Sequence, residues 1–196
     1  MKERNRQGSA TRVAPRASPD FWETPQDATI SLLAYEQFNG GIWEPACGNG
    51  AISRVLERMG NQVYSTDLNH YGYGHGRVDF LLPDNTDHHC ANIVTNPPYN
   101  LVNEFILKAV NYPAIGKVAL LLRLNHAEGE TRFKDVFKEF RPTKVLVFPW
   151  RLKFWNERKG EMDSFKYPHA WFVWQAPHCV KTEFDWIDLK FKDAKL

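Results

Sequence analysis

Short continuous apolar runs alternate along this chain with segments whose apolar residues return every three or four positions. That alternation predicts strands and helices in turn, hence a largely parallel α/β sheet. Residues 25–38 carry Ile30, Leu33 and Ala34 at helical spacing, with Pro25 suited to a first turn and Gly40-Gly41 closing the segment. A strand over 42–45 leads to a helix over 51–59, ended by Gly60. The next strand, 62–66, stops at Asp67. A glycine-rich loop over 71–76 leads to Asp79-Phe80-Leu81, in the place of a third strand, and a polar turn over 83–90 leads to a fourth at 91–95. Residues 101–110 put Val102, Phe105, Ile106 and Ala109 on one helical face. Residues 117–124 form an apolar run, as expected for a strand buried on both sides. A helix over 131–140 and strands over 144–149 and 170–175 complete the pattern. The last two strands are joined by about twenty residues without a clear helix, which favours an antiparallel hairpin.

The polar residues that interrupt this pattern fall in one place. Glu44, Asp67, Asp79 and Asn96 all lie at or just beyond the ends of strands, where ligands of parallel sheets bind. After the fourth strand comes Asn96-Pro97-Pro98-Tyr99. Two prolines force the chain out of the sheet and present an amide, a bare carbonyl and an aromatic ring. Asn96 Oδ1 and the Pro97 carbonyl can each accept one N–H of an exocyclic amine, and Tyr99 can stack on the ring that bears it. After the first strand, Glu44-Pro45-Ala46-Cys47-Gly48-Asn49-Gly50 reads as a strand, a glycine turn and a helix N-terminus. Such a turn admits a ligand close to the backbone. Its glycine spacing is not the dinucleotide fingerprint.

These motifs carry a resemblance. The glycine turn resembles the first S-adenosylmethionine motif of class I methyltransferases, and Asn96-Pro97-Pro98-Tyr99 resembles the catalytic motif of amino-methyltransferases. Phe21-Trp22-Glu23-Thr24-Pro25 is similar to the F-x-x-T-P motif of DNA adenine-N6 methyltransferases. The order of the three is that of their gamma group, the match covers about residues 19–175, and the look-alikes are small phage or prophage-type enzymes. The resemblance implies a Rossmann-like class I methyltransferase domain over 19–196. Its seven-stranded, mostly parallel sheet would have helices on both faces and end in an antiparallel hairpin. It implies methyl transfer from S-adenosylmethionine to adenine N6 in DNA. Asn96, Pro97, Pro98 and Tyr99 then form the catalytic loop. Asp67 takes the ribose hydroxyls, Asp79 and Phe80 the cofactor adenine, and Glu44 the methionine ammonium. Gly48 and Gly50 admit the cofactor, and Ala46, Cys47, Leu68 and Asn96 complete its surroundings. Thr24 and Pro25 are placed near the carboxylate by the resemblance alone. Cys47 is expected as a packing residue, because this chemistry needs no protein nucleophile.

Composition adjusts this picture at two points. The net charge is +2, but it is uneven. Five cations against Glu3 give residues 1–16 a net +4, and six against Glu157 give residues 141–160 a net +5, leaving −7 on the rest. Two basic segments on an acidic body suit phosphate contacts. Residues 1–18 are expected to be a flexible basic arm. In the segment 150–168, aromatics interleave with cations, and Arg151, Lys153, Phe154, Arg158 and Lys159 are the candidate nucleic-acid contacts. Gamma-group enzymes generally carry a long target-recognition domain after the catalytic loop, which this sequence lacks. Selectivity is therefore either short and loose or supplied by a recognition partner protein. The second point is cellular context. Three scattered cysteines form no disulfide framework, and no apolar run is long enough for a membrane span, which suits a reducing cytoplasm. Asp87-His88-His89-Cys90 spells a palmitoyltransferase signature without its membrane helices, and the histidines show no metal-ligand spacing. Three alternatives remain on sequence grounds. The same loop could act on cytosine N4, on an RNA base or on a protein glutamine. The chain could bind cofactor and nucleic acid without catalysis. A nicotinamide enzyme ranks last.

Overall fold

The computed structural model describes residues 22–83, 89–156, 160–164, 166–177 and 181–188. The expected N-terminal arm, Phe21, Arg158 and Lys159 lie outside them. Seven strands form one sheet in the order β10-β6-β9-β5-β4-β2-β3. These are β2 (Gly41–Glu44), β3 (Val63–Ser65), β4 (Cys90–Thr95), β5 (Lys117–Arg123), β6 (Lys144–Val147), β9 (His169–Gln175) and β10 (Glu183–Trp186). Strands β3, β2, β4 and β5 run parallel, and β9 is antiparallel to both β5 and β6. The expected architecture is therefore present, including the antiparallel close.

Burial parity builds the layers. On one face Trp43, Ile93, Phe105, Leu120 and Phe172 form a core under helix α3 (Val102–Val110). On the other, Val94, Leu121 and Trp171 pack with Leu32 of helix α1 (Gln26–Tyr35) and Leu56 of helix α2 (Ala51–Arg58). Neighbours along β4 and β5 point to opposite faces, so both faces must be apolar for the strands to be buried. Pro25, at φ −65°, precedes α1 at its N-cap.

Three expectations are corrected. Asp79-Phe80-Leu81 is a turn, not a third strand. Asp79 Oδ1 accepts the Leu81 N–H (3.1 Å), the Asp79 carbonyl accepts Leu82 N–H (3.1 Å), and Phe80 turns inward against Trp43 and Phe105. The sheet reaches seven strands through β10, which pairs parallel with β6 at the other edge. The linker after β6 holds a hairpin of its own, β7 (Lys153–Asn156) and β8 (Glu161–Ser164). It pairs with β1 (Trp22–Glu23) as a small sheet in the order β1-β7-β8. The helix expected over 131–140 is shorter: α4 (Glu130–Arg132) passes into a π turn, Phe133–Phe137.

Candidate active site

A cleft of about 670 Å³ opens at the C-terminal ends of β2, β3 and β4. Of the residues expected at a cofactor, Thr24, Glu44, Ala46, Cys47, Gly48, Asp67, Leu68, Asp79, Phe80 and Asn96 all line it, and so do Pro97, Pro98 and Tyr99. Pro25 and Gly50 do not. Gly50 has φ +87°, and a Cβ there would stand 2.5 Å from the Tyr73 ring. Its lack of a side chain serves Tyr73 packing and the turn into α2, not the approach of a ligand.

The turn from β2 into α2 is cross-braced by acids. Glu44, buried at the end of β2, accepts the Ser53 backbone N–H at 2.8 Å and a short bond from the Ser53 hydroxyl. Burial holds its carboxyl well above the ordinary range despite these bonds. Asp67 accepts Gly48 N–H through Oδ2 (2.9 Å) and Asn69 N–H through Oδ1 (2.8 Å), and burial raises it too. Each oxygen keeps a lone pair for a further donor. Between them, Cys47 is a buried thiol pushed up to about 12, chiefly by burial and then by Glu44 and Asp67. It is an inert packing group, in keeping with the sequence reading. Asn49 donates to Glu23 Oε2 at 2.8 Å and closes the turn against β1.

The Asn96 loop is held from two sides. Asn96 Nδ2 donates to Thr24 Oγ1 at 3.0 Å, across 72 residues of sequence. Asn96 Oδ1 is buried and has no hydrogen-bond partner among the described residues. A buried acceptor left open in a polar cleft costs stability, so a donor from a ligand is the natural complement. Tyr99 hydroxyl and His169 Nε2 lie 3.0 Å apart, and the Arg123 guanidinium covers the Tyr99 ring at 4.2 Å from its centroid. Burial pushes the Tyr99 phenol above its ordinary value. Burial, with Arg123 and Arg151 adding, lowers His169 to about 4. His169 is thus neutral at pH 7, and Tyr99 donates to it in the tautomer that carries its proton on Nδ1.

Arg123 and His169 were not singled out from sequence. Arg123 ends β5, so the rule that ligands sit beyond parallel strand ends could have found it. His169 begins β9. An antiparallel strand starts where its parallel neighbours finish, and only the pairing reveals that. The nucleic-acid candidates fare unevenly. Arg151 and Lys153 are exposed, but Phe154 is fully buried against His169 (5.0 Å) and cannot stack on a base. Its strand neighbours alternate in direction, so the exposed ring is Trp155.

No protein-family model matches the chain, and no curated protein matches it. Solved structures do. A candidate RNA methyltransferase from Pyrococcus horikoshii superposes with TM-score 0.56 at 16% identity, over 78% of this chain and 84% of its own. A dimethyladenosine transferase from Plasmodium falciparum gives 0.51 at 14% identity, over 78% and 61%. The fold is that of class I methyltransferases. The modification subunit of a candidate type I restriction enzyme from Vibrio vulnificus gives 0.50 at 11% identity, over 78% of this chain but 44% of that one. Against this class I fold, the cleft lies at the carboxyl ends of the strands, where the topology puts ligands.

Proposed function

We propose that the protein transfers a methyl group from S-adenosylmethionine to the exocyclic N6 amine of adenine in DNA. The observation that carries the reading is the Asn96 amide. One end is tied to Thr24, and the other is a buried, unpartnered acceptor in the cleft, followed directly by the Pro97 carbonyl. The residues present fit the cofactor: the cleft has the volume of a small-molecule site, a left-handed backbone turn at Gly48, an Asp67 carboxyl with open lone pairs and an apolar Phe80 wall. When bound, S-adenosylmethionine supplies an electrophilic methyl on a sulfonium.

The chain's own groups then act by orientation. Asn96 Oδ1 and the Pro97 carbonyl accept the two amine hydrogens. This draws the nitrogen lone pair out of conjugation and aims it into the cleft. Tyr99, fixed by His169 and covered on one ring face by Arg123, offers its other face to the acceptor base. Asp67 and Asp79 accept from ribose and adenine of the cofactor, and Glu44 faces its ammonium end. Cys47 stays protonated and takes no part. Positioning and electrostatics supply the rate. The upstream Thr-Pro motif supports adenine in DNA, and the fold neighbours named for RNA keep an RNA base as the second reading.

Labelled S-adenosylmethionine incubated with unmethylated DNA and with RNA, followed by nucleoside mass spectrometry, tests this. N6-methyladenine in DNA alone is expected, with Asn96→Ala lowering the rate about 10²–10³-fold at saturating cofactor. Wild-type turnover in that variant would remove Asn96 from the mechanism. Product in RNA alone would keep the mechanism and move the substrate.

A further inference from the structure

We infer that Trp155 and Tyr167 form a stacking surface for unpaired nucleotides beside the acceptor base, so that the protein grips single-stranded nucleic acid in preference to intact duplex. The inference rests on the nucleic-acid reading of the cleft.

Neither ring lines that cleft itself, but each adjoins a residue that does, Trp155 beside Glu23 and Tyr167 beside Arg123, and both are exposed, at 38% and 41%. Trp155 sits on β7, the middle strand of the small sheet, directly across from Glu23 on β1 and Met162 on β8. Directly opposed residues share a face. Glu23 lines the cleft through its bond from Asn49, so the row Glu23, Trp155, Met162 runs outward from the cleft wall in steps of about 5 Å. Tyr167 lies on the segment that leaves β8. The Arg123 guanidinium is over its ring at 5.2 Å and over the Tyr99 ring at 4.2 Å. A ladder of ring, cation and ring therefore leads from the amine-accepting loop to the surface. The backbone at Tyr167 is fixed, since the Leu124 N–H donates to the Pro168 carbonyl at 2.8 Å and the His169 imidazole bonds the Tyr167 backbone, and Arg123 packs over the ring. A ring held before binding loses little freedom on binding.

The chemistry identifies the occupant. Arg151, Lys153 and Lys166 are exposed and interleave with these rings along the segment. Flat aromatic faces between cations match bases between phosphates. In an intact duplex the base faces are already stacked on one another, so such rings engage bases that are unpaired. Charge separates this surface from the other exposed aromatic pair. Phe184 and Trp186, on β10, stand among exposed Glu183, Asp185 and Asp188, which repel phosphate.

Fluorescence anisotropy of a labelled oligonucleotide, single-stranded or annealed to its complement, tests the inference with S-adenosylhomocysteine present. The single strand is expected to bind at least about tenfold tighter than the duplex. Trp155→Ala and Tyr167→Ala should each weaken it about tenfold, while Trp155→Tyr and Tyr167→Phe restore it and Trp186→Ala leaves it unchanged. Duplex binding as tight as single-strand binding in the wild-type protein overturns the proposal, whatever the variants do. So does wild-type affinity in both alanine variants. Methyl transfer read in the same samples separates the two ideas. A single-strand preference without any product keeps the surface and removes the methylation reading. Product on duplex with unaffected alanine variants does the reverse.

Discussion

Asn96 shows how one residue can be legible in type and illegible in support. The sequence places an amide before two prolines at a strand end, and elementary hydrogen-bond capacity says what it can accept. What it cannot say is that Thr24 would hold the other end of the amide. Motif order alone hinted that the two belong together. Gly50 runs the other way: its glycine was legible, but its reason is Tyr73, which is anchored by its bond to Glu57 (3.0 Å) and by Arg54 over its ring. Gly50→Ala must meet the ring at 2.5 Å with a left-handed backbone. We expect it to destabilise by about 2–3 kcal/mol, read as a fall of roughly 5–10 °C in the thermal midpoint. An unchanged midpoint would show that Tyr73 moves aside without cost. Phe154 was misread because interleaved cations suggested exposure. Strand alternation, not charge, decides which ring of Phe154-Trp155 meets solvent.

Among the elements, the strands buried on both faces are all ones that the pattern predicted. Strands β4, β5 and β9 had apolar runs of strand length, too short for a typical buried helix and apolar on both parities. The elements missed or misplaced are peripheral. Strand β10 alternates acids with exposed aromatics, and only pairing with β6 makes it a strand. The 79–81 segment reads as apolar, but its aspartate closes a turn before a ladder can form. Element joints also rely on contacts distant in sequence. At the end of α1, Glu36 is buried beside Lys117 and Lys144 and bridges both ammonium groups at 2.8 and 2.9 Å, tying the helix to β5 and β6. Although burial alone would raise it, the two lysines hold its carboxyl below the ordinary 4.5. Its contribution is therefore present above pH 4.5 and lost as pH falls below that value. Glu36→Gln should cost about 2–3 kcal/mol in urea titrations at pH 7, with little difference from wild type once the medium is acidic enough to protonate Glu36. A cost that stays constant with pH would assign it to packing.

For the whole molecule, one consequence is that two histidines held neutral by burial weaken it as the medium turns acid. His169 is 1% exposed and held near 4, below the ordinary 6.5, so the folded state resists a proton that the unfolded chain accepts. Its stabilisation is complete above pH 6.5 and falls away as pH drops towards 4, by on the order of 3 kcal/mol. His126, lowered to about 4 by burial, Arg132 and Arg123, titrates over the same window with the same sign. Glu44 and Asp67, whose carboxyls burial raises, act with the opposite sign as pH falls, so the histidine contribution is read by difference: between pH 7.5 and 4 the stability of the wild type should fall relative to that of His169→Gln. Parallel curves for the two proteins would exclude His169 as a source. The segment between β6 and β9 has a further consequence. Through β1 it holds the strand that delivers Thr24, and Thr24 aims Asn96. The part proposed to meet the substrate strand is thus mechanically in series with the amide proposed to do the chemistry. Grip and trigger are one lever, and changes in the hairpin that alter what is held also alter how the reacting nitrogen is presented.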